Sequence, residues 1–467
     1  MTIRQNNDGR VAGSFRDPNG FVFKQNGVIY RQINQLYAEN YAMLMDSGLY
    51  ERLTGKDWLI PHTECDHSMA QTVAAYKVIR PEPVPFIAHP YEWSFSQLKD
   101  AALLTLNITR AALKKGMILK DASAYNVQFI DGKPCLIDTL SFEKYEEGRP
   151  WIAYRQFCQH FLAPLALAHY KDVRLIDLSR IYIDGIPLDL AASLLPKRSW
   201  LRMGIAMHIR LHSRAQSRYD DKPVVARTKA RALSRKSLLN IIDSLYEVTN
   251  NLHWRADTTA WSQYYQGDSY DNAGLDHKKR LISQYLDRAK PRVVWDLGAN
   301  TGLFSRIASA QGIQTLAWDI DAGAVELNYR QIKQDKTQNL LPLILDLANP
   351  SPALGWANNE RASLIERANA DMIFALALIH HLAISNNVPL DSVAQFMSQL
   401  AEWLAIEFVP KSDPKVQTLL ASREDIFPDY TQPGFEEAFL AYFEVIESSP
   451  IENSDRILYL MRRKAHQ

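Results

Sequence analysis

The residues with the clearest chemical content form one short segment, Val293-Val294-Trp295-Asp296-Leu297-Gly298-Ala299-Asn300-Thr301-Gly302-Leu303-Phe304. An apolar run of strand character enters a tight turn, and helical spacing resumes after it. Gly298 and Gly302 let backbone approach a ligand with no Cβ in the way. Asn300 stands where a third glycine often stands, and Asn is the non-glycine residue that best tolerates a left-handed conformation. The helix start beyond the turn offers unpaired N–H groups and a partial positive charge. A dinucleotide turn asks for G-x-G-x-x-G, and the pattern here is G-x-N-x-G. Asp296, negative and at the strand's end, suits a cationic ligand better than a diphosphate. Asp319 follows 21 residues after Gly298, at the end of the next strand-like run. A carboxylate there can accept both hydroxyls of a ribose. Asp346-Leu347 ends a third run, placed for an adenine amine and its ring face, and Ala375-Leu376-Ala377-Leu378 ends a fourth. Four strand ends would line one crevice, which is where open α/β sheets bind ligands.

This series resembles the S-adenosyl-L-methionine site of class I methyltransferases over roughly residues 276–467. The resemblance implies that Asp296, Gly298 and Gly302 hold the methionine end, Asp319 the ribose, and Asp346 and Leu347 the adenine, with Asn300 also among the cofactor-binding residues. Ala377 would flank the sulfonium. It also places Ile379-His380-His381-Leu382 in the loop facing the transferring methyl group. Histidine is well poised near neutral pH as a base for a hydroxyl or amine acceptor, so His380 and His381 are the candidate catalytic residues. A local strand-capping role weighs equally for each, and only one of two adjacent side chains easily faces a crevice. The order of the whole chain, a long N-terminal module ahead of DLGANTG and LALIHHLA, is similar to bacterial methyltransferases related to nodulation proteins.

The elements that would position these residues follow from the pattern. Beyond about residue 276, short apolar runs alternate with helical spacing, which means βαβ units and a parallel sheet. FEVIESSP and RILYLMRRK, a hairpin's reach apart, would close that sheet as an antiparallel pair. The expected fold is α/β: a Rossmann-like, seven-stranded methyltransferase sheet behind an N-terminal α+β domain. The expected division is 1–240 for acceptor selection, 241–275 as helical linker and cofactor lid, and 276–467 as the methyltransferase domain. Trp261, Tyr264, Tyr265 and Tyr270 are the lid candidates, with core packing the plainer reading. Asp321 reads as a helix N-cap. Glu407, at the end of a fifth run, could orient a histidine or bind substrate. The polar stretch 355–361 is expected on the substrate side.

The first half is punctuated differently. Asn26-Gly27 between apolar runs is a hairpin signal, as is Asp131-Gly132. Residues 33–53 read as a helix broken at Gly48, and 94–116 as a longer one stopped by Gly116. Lys120-Asp121-Ala-Ser-Ala-Tyr-Asn126 has D-x-x-x-x-N spacing, and the following hairpin ends at Asp138. Asp121, Asn126 and Asp138 thereby resemble the phosphate-site trio of a degenerate protein-kinase-like domain over roughly residues 15–190. The departures are the missing His-Arg before Asp121, Thr139-Leu140 after Asp138, and no Gly-rich nucleotide loop. Lys24 or Arg31 would stand for the strand lysine. The plainer reading is an N-cap, a turn asparagine and a hairpin-end aspartate.

Composition bounds the rest. The 467 residues are 47% apolar and 22% charged, ordinary globular values that exclude disorder throughout. Lys and Arg number 53 against 52 Asp and Glu, so no global excess advertises nucleic acid. One local excess exists: residues 197–236 carry twelve Lys or Arg against two Asp. It reads as a solvated helix face or as a site for a phosphate-bearing partner such as RNA. Cys65, Cys135 and Cys158 match neither a disulfide framework nor a zinc spacing, and no metal is expected. The polar start lacks a signal-peptide core, and runs such as FLAPLALA and MIFALALI fall short of the ~20 residues a bilayer crossing needs. The expectation is a cytoplasmic S-adenosyl-L-methionine-dependent methyltransferase whose acceptor (small molecule, protein, glycan or RNA) is open. The rivals are a non-catalytic cofactor-binding scaffold, a nicotinamide oxidoreductase, and a phosphotransferase in the N-terminal half.

Overall fold

A computed structural model describes residues 9–211, 234–256, 272–421 and 424–465. The lid candidates Trp261, Tyr264, Tyr265 and Tyr270, and most of the basic stretch, lie outside the described residues. The chain divides into two compact units, Met1–Trp254 with Ala353–Ala362, and Arg255–Pro352 with Ser363–Gln467.

In the first unit, β1 (Gly9–Arg10), β2 (Gly20–Gln25), β3 (Val28–Asn34), β4 (His62–Cys65) and β5 (Ala75–Pro81) form an antiparallel sheet ordered β1-β2-β3-β5-β4. Asn26 and Gly27 both have positive φ, 52° and 74°, the two-residue turn whose twist matches the flanking strands. The helical run after β3 breaks at Gly48 into Ala38–Asp46 and Leu49–Thr54. Helix Phe95–Lys114 starts from a capping box, in which the Ser94 hydroxyl accepts the Gln97 N–H and the Gln97 side chain accepts the Ser94 N–H. It stops where Gly116 turns left-handed, at φ 77°. β6 (Met117–Leu119) pairs with β9 (Phe142–Lys144), and between them β7 (Val127–Ile130) and β8 (Lys133–Leu136) form the expected second hairpin.

Helix Arg235–Asn250, which sequence reading carries into a linker, packs inside this unit. Its Leu238, Ile242 and Leu245 are buried, and Asp243 pairs with Arg110 of Phe95–Lys114. The Ala353–Ala362 excursion also belongs here. Glu360 accepts two hydrogen bonds from Arg16, at 2.7 and 2.9 Å, and the Ala362 carbonyl meets His89 Nε2 at 3.0 Å. The polar stretch 355–361, expected on the substrate side, is thus part of the N-terminal unit.

In the second unit, β10 (Val293–Leu297), β11 (Gln314–Asp319), β12 (Leu340–Ile344), β13 (Met372–Ala375), β14 (Trp403–Phe408), β15 (Phe443–Pro450) and β16 (Ile457–Arg463) form one sheet. Its order is β12-β11-β10-β13-β14-β16-β15. β16 runs antiparallel to both neighbours and the other pairings are parallel. The strands are near-continuously apolar because both faces are covered. Val294, Phe374 and Ala405 pack with Ile282 and Tyr285 of helix Asn272–Ala289. This strand order with a single reversed strand is the class I methyltransferase fold, and it brings the ends of β10 to β13 to one edge. No helix among the described residues is long and apolar enough to cross a membrane.

Candidate functional site

A cavity of about 290 Å³ opens at that carboxyl edge. Asp296, Gly298 and Asn300 line it from the end of β10, and Asp319 from the end of β11. Asp346 and Leu347 line it beyond β12, and Ala377 and His381 beyond β13.

Local bonding explains their placement. The N–H groups of Gly298 and Ala299 both donate to the Trp318 carbonyl, at 2.9 Å each, which folds the turn against β11. Asn300 takes the left-handed conformation, φ 50°, and its N–H donates to Asp319 Oδ2 at 2.7 Å. Asp319 Oδ1 accepts the Asp321 N–H at 2.8 Å, so this carboxylate is oriented by two backbone donors. Asp321 itself caps helix Ala322–Asp335 through Gly323 and Ala324. Asp296 is 2% exposed and accepts the Ser305 hydroxyl at 2.5 Å. Burial pushes its carboxyl up to about 7, against the opposing pull of Ser305 and Lys278. Burial likewise pushes Asp319 up to about 6, opposed by its two backbone donors.

Two sequence-derived candidates sit elsewhere. Gly302 does not line the cavity. It is the left-handed residue opening helix Leu303–Ala310, and a Cβ there would lie 2.5 Å from Asn328 Nδ2, so close packing is what requires glycine. His380 does not line the cavity either; it is 1% exposed, and neither ring nitrogen has a hydrogen-bond partner among the described residues. The two histidines lie in a helical turn, where adjacent side chains diverge by roughly 100°. His381 therefore takes the cavity while His380 goes into the interior, their ring centroids 4.2 Å apart. Burial lowers the pKa of both, His380 well below the ordinary imidazole value, and His381 stays neutral near pH 7. His380 is thus not placed to act as the base.

Sequence reading missed two cations. Lys278 lines the cavity at 2% side-chain exposure, and its ammonium contacts Glu407 Oε2 at 2.5 Å. Arg456, equally buried, meets Glu407 Oε1 at 3.2 Å and Asp413 at 2.7 Å. Glu407 also accepts the Ala377 N–H, at 2.9 Å. It thereby ties the loop after β13 to β14. Lys278 was detectable: it interrupts the apolar stripe Leu275, Ile282, Tyr285 of its own helix.

The N-terminal trio is also gathered, but its acceptors are engaged within the protein. Asp138 takes the Arg31 guanidinium at 2.6 Å, the Leu140 N–H at 2.9 Å and the Ser141 hydroxyl at 2.7 Å. Asn126 reaches the same Ser141 at 3.4 Å. Asp121 accepts the Ser123 N–H and the Gln156 amide, at 2.9 and 2.8 Å. Burial, with Asp138 nearby, raises its pKa. Arg31, not the exposed Lys24, is the strand cation that arrives.

The chain is 35% identical over 463 residues to nodulation protein NoeA of Rhizobium meliloti (strain 1021), covering 97% of this chain and 96% of that protein. The chain belongs to the NoeA family. No family model matches it. The NoeA-family chain is also similar to solved structures over less than half its length. Magnesium protoporphyrin IX methyltransferase from Synechocystis PCC 6803 with bound SAH matches at 16% identity and TM-score 0.32, covering 44% of this chain and 95% of that one. N-methyltransferase NodS from Bradyrhizobium japonicum WM9 matches at 10% and 0.31, covering 42% and 99%. The bifunctional kinase-methyltransferase WbdD matches at 15% and 0.31, covering 44% and 45%. The C-terminal unit of this NoeA-family chain is methyltransferase-like in its strand order and in where its cavity opens.

Proposed function

We propose that the C-terminal unit transfers a methyl group from S-adenosyl-L-methionine to an acceptor held beside His381. The observation that supports this reading most is the run of carboxylates, Asp296, Asp319 and Asp346, at successive strand ends around one cavity. Against them the described lining sets one Lys or Arg side chain, Lys278, whose ammonium burial disfavours. That balance suits a ligand of net positive charge and disfavours a diphosphate. The group supplies, when bound, an electrophilic methyl on a sulfonium sulfur.

The chain's own residues divide the work. Asp319 accepts the two ribose hydroxyls with the lone pairs that Asn300 and Asp321 leave open. Asp346 takes the adenine amine and Leu347 covers the ring. Asp296 faces the amino-acid end. Ala377 flanks the reacting centre, and neutral His381 takes the acceptor's proton at a ring nitrogen. Alignment of the two reactants contributes most in a displacement of this kind, and the base adds to it.

Calorimetry with S-adenosylhomocysteine, followed by incubation of a cell extract with radiolabelled cofactor and enzyme, tests the reading. The expected result is saturable binding and label entering one acceptor fraction. A protein that binds the nucleoside yet labels nothing across broad acceptor pools favours the scaffold reading, and one that does not bind it ends both.

A pH dependence also follows. Asp296 and Asp319, raised to about 7 and about 6, must be ionised to serve an ammonium and ribose hydroxyls. Above both values they are already ionised. Below each value its proton must leave on binding, which costs about tenfold in affinity per pH unit per group. Affinity for S-adenosylhomocysteine is expected to be flat above pH 7.5 and to fall steadily toward pH 5, with protons released on binding. Affinity independent of pH across that range would contradict the assignment.

A further inference from the structure

One strip of the N-terminal unit carries apolar side chains on both of its faces. It consists of a 3-10 turn, Lys197–Leu201, and helical turns over Met203–Ile205 and Ala206–Leu211. Ser199, Ile205 and Ile209 are buried and hold it to the unit. A Cβ on Gly204 would overlap the Val248 side chain, so the strip lies hard against helix Arg235–Asn250. The outward face of such a strip is ordinarily polar. Here Leu201 is 87% exposed, Met203 81% and Met207 40%. Arg202 is extended, φ −90° and ψ 106°, so the chain turns a corner there and puts Leu201 and Met203 on either side of it. Met207, four residues beyond Met203, continues the same face. Arg198 precedes Leu201 by three residues and stacks under it in the 3-10 turn. Lys197, Arg198 and Arg202 are all exposed. From Lys197 to Leu211 the chain has four Lys or Arg and no Asp or Glu. Single exposed apolar residues are ordinary, but a contiguous group rimmed by one sign of charge marks a surface that meets something.

We propose that this strip docks the protein on the surface of an anionic lipid bilayer, without crossing it. Leu201 and Met203 enter the boundary between headgroups and acyl chains, while Lys197, Arg198 and Arg202 meet the lipid phosphates. An anionic bilayer rewards both kinds of side chain at once. RNA would satisfy the basic residues but offers the two aliphatic tips little, since single-stranded nucleic acid is held on aromatic platforms. The aromatic residue here, Trp200, is half-buried, and the Arg210 guanidinium already lies 5.2 Å from its ring centroid. By sequence, residues 212–233 add six Lys or Arg against two Asp, the same sign of charge and hence no complement to the strip. The proposal is independent of the cofactor reading and concerns the other unit of the chain.

Sedimentation of the full chain with vesicles tests this, one set of phosphatidylcholine alone and one of phosphatidylcholine and phosphatidylglycerol in equal parts. The anionic set is expected to take up the protein about 100-fold more strongly, because each of the three exposed basic residues contributes about fivefold near such a surface. High salt should narrow that difference. Leu201→Ser with Met203→Ser should lower uptake by at least about tenfold, through the apolar area no longer withdrawn from water. Lys197→Gln with Arg202→Gln should lower it by about 25-fold on anionic vesicles. Both pairs are exposed, so both variants should melt near the wild-type temperature. No uptake by anionic vesicles overturns the proposal, and so does uptake that the serine pair leaves intact. Binding to polyuridylate without vesicle uptake would overturn it in favour of RNA. Self-association without vesicle uptake, abolished by the serine pair, would overturn it in favour of a second copy of the chain.

Discussion

Asp319→Ala is expected to lower affinity for S-adenosylhomocysteine by two to four powers of ten. The carboxylate is held by the Asn300 and Asp321 N–H groups, so it meets a ribose without reorganising. Hydrogen bonds to a charged group contribute about 1.5–3 kcal/mol each, and a ribose offers two hydroxyls. The loss is therefore about 3–6 kcal/mol in binding. The same change frees two backbone donors at the turn, and water can reach them through the cavity, so folding should survive it. Calorimetry beside a thermal melt separates the two effects. A folded variant that binds as tightly as wild type would show that the ribose is not read from β11.

His381→Ala is expected to slow turnover by about 10²–10⁴-fold, the usual contribution of a positioned base, with S-adenosylhomocysteine affinity little changed. The effect should be largest for a hydroxyl or ammonium acceptor that must lose its proton. His380→Ala should behave differently, because that ring is buried and takes no place at the cavity wall. Its removal leaves a void and lowers the melting temperature, with a smaller change in turnover per folded molecule. Label transfer into the acceptor fraction, measured for both variants at saturating cofactor, distinguishes them. Equal slowing in both, with unchanged melts, would remove His381 from the role of base.

The site residues at strand ends were legible because a parallel sheet converts sequence order into spatial order. A turn after each buried run lands at the same edge, so Asp296, Asp319 and Asp346 could be placed together from spacing alone. Which of His380 and His381 faces the cavity was not legible. It depends on the rotation of a helical turn, and two adjacent residues of one type carry no phase. Arg456 was hidden for another reason: it reaches Glu407 across 49 positions of chain through a strand pairing that no local pattern encodes. For Gly302 the sequence could not show the packing demand, because the closeness of Asn328 comes from a helix further along the chain. In the first half, the hairpins were readable from Asn-Gly and Asp-Gly, whereas the pairing of Arg31 with Asp138 joins residues far apart in sequence.

The membership of Ala353–Ala362 in the N-terminal unit sets an order of events during synthesis. A ribosome that has released residue 254 has made most of that unit but not the strip carrying Glu360 and Ala362. Arg16 and His89 precede these partners by 344 and 273 positions of chain. Completion of the first half is thus tied to translation of the second. A stop codon placed at the apparent seam near 254 would yield a protein with an unfilled face, prone to stick to others or to be degraded.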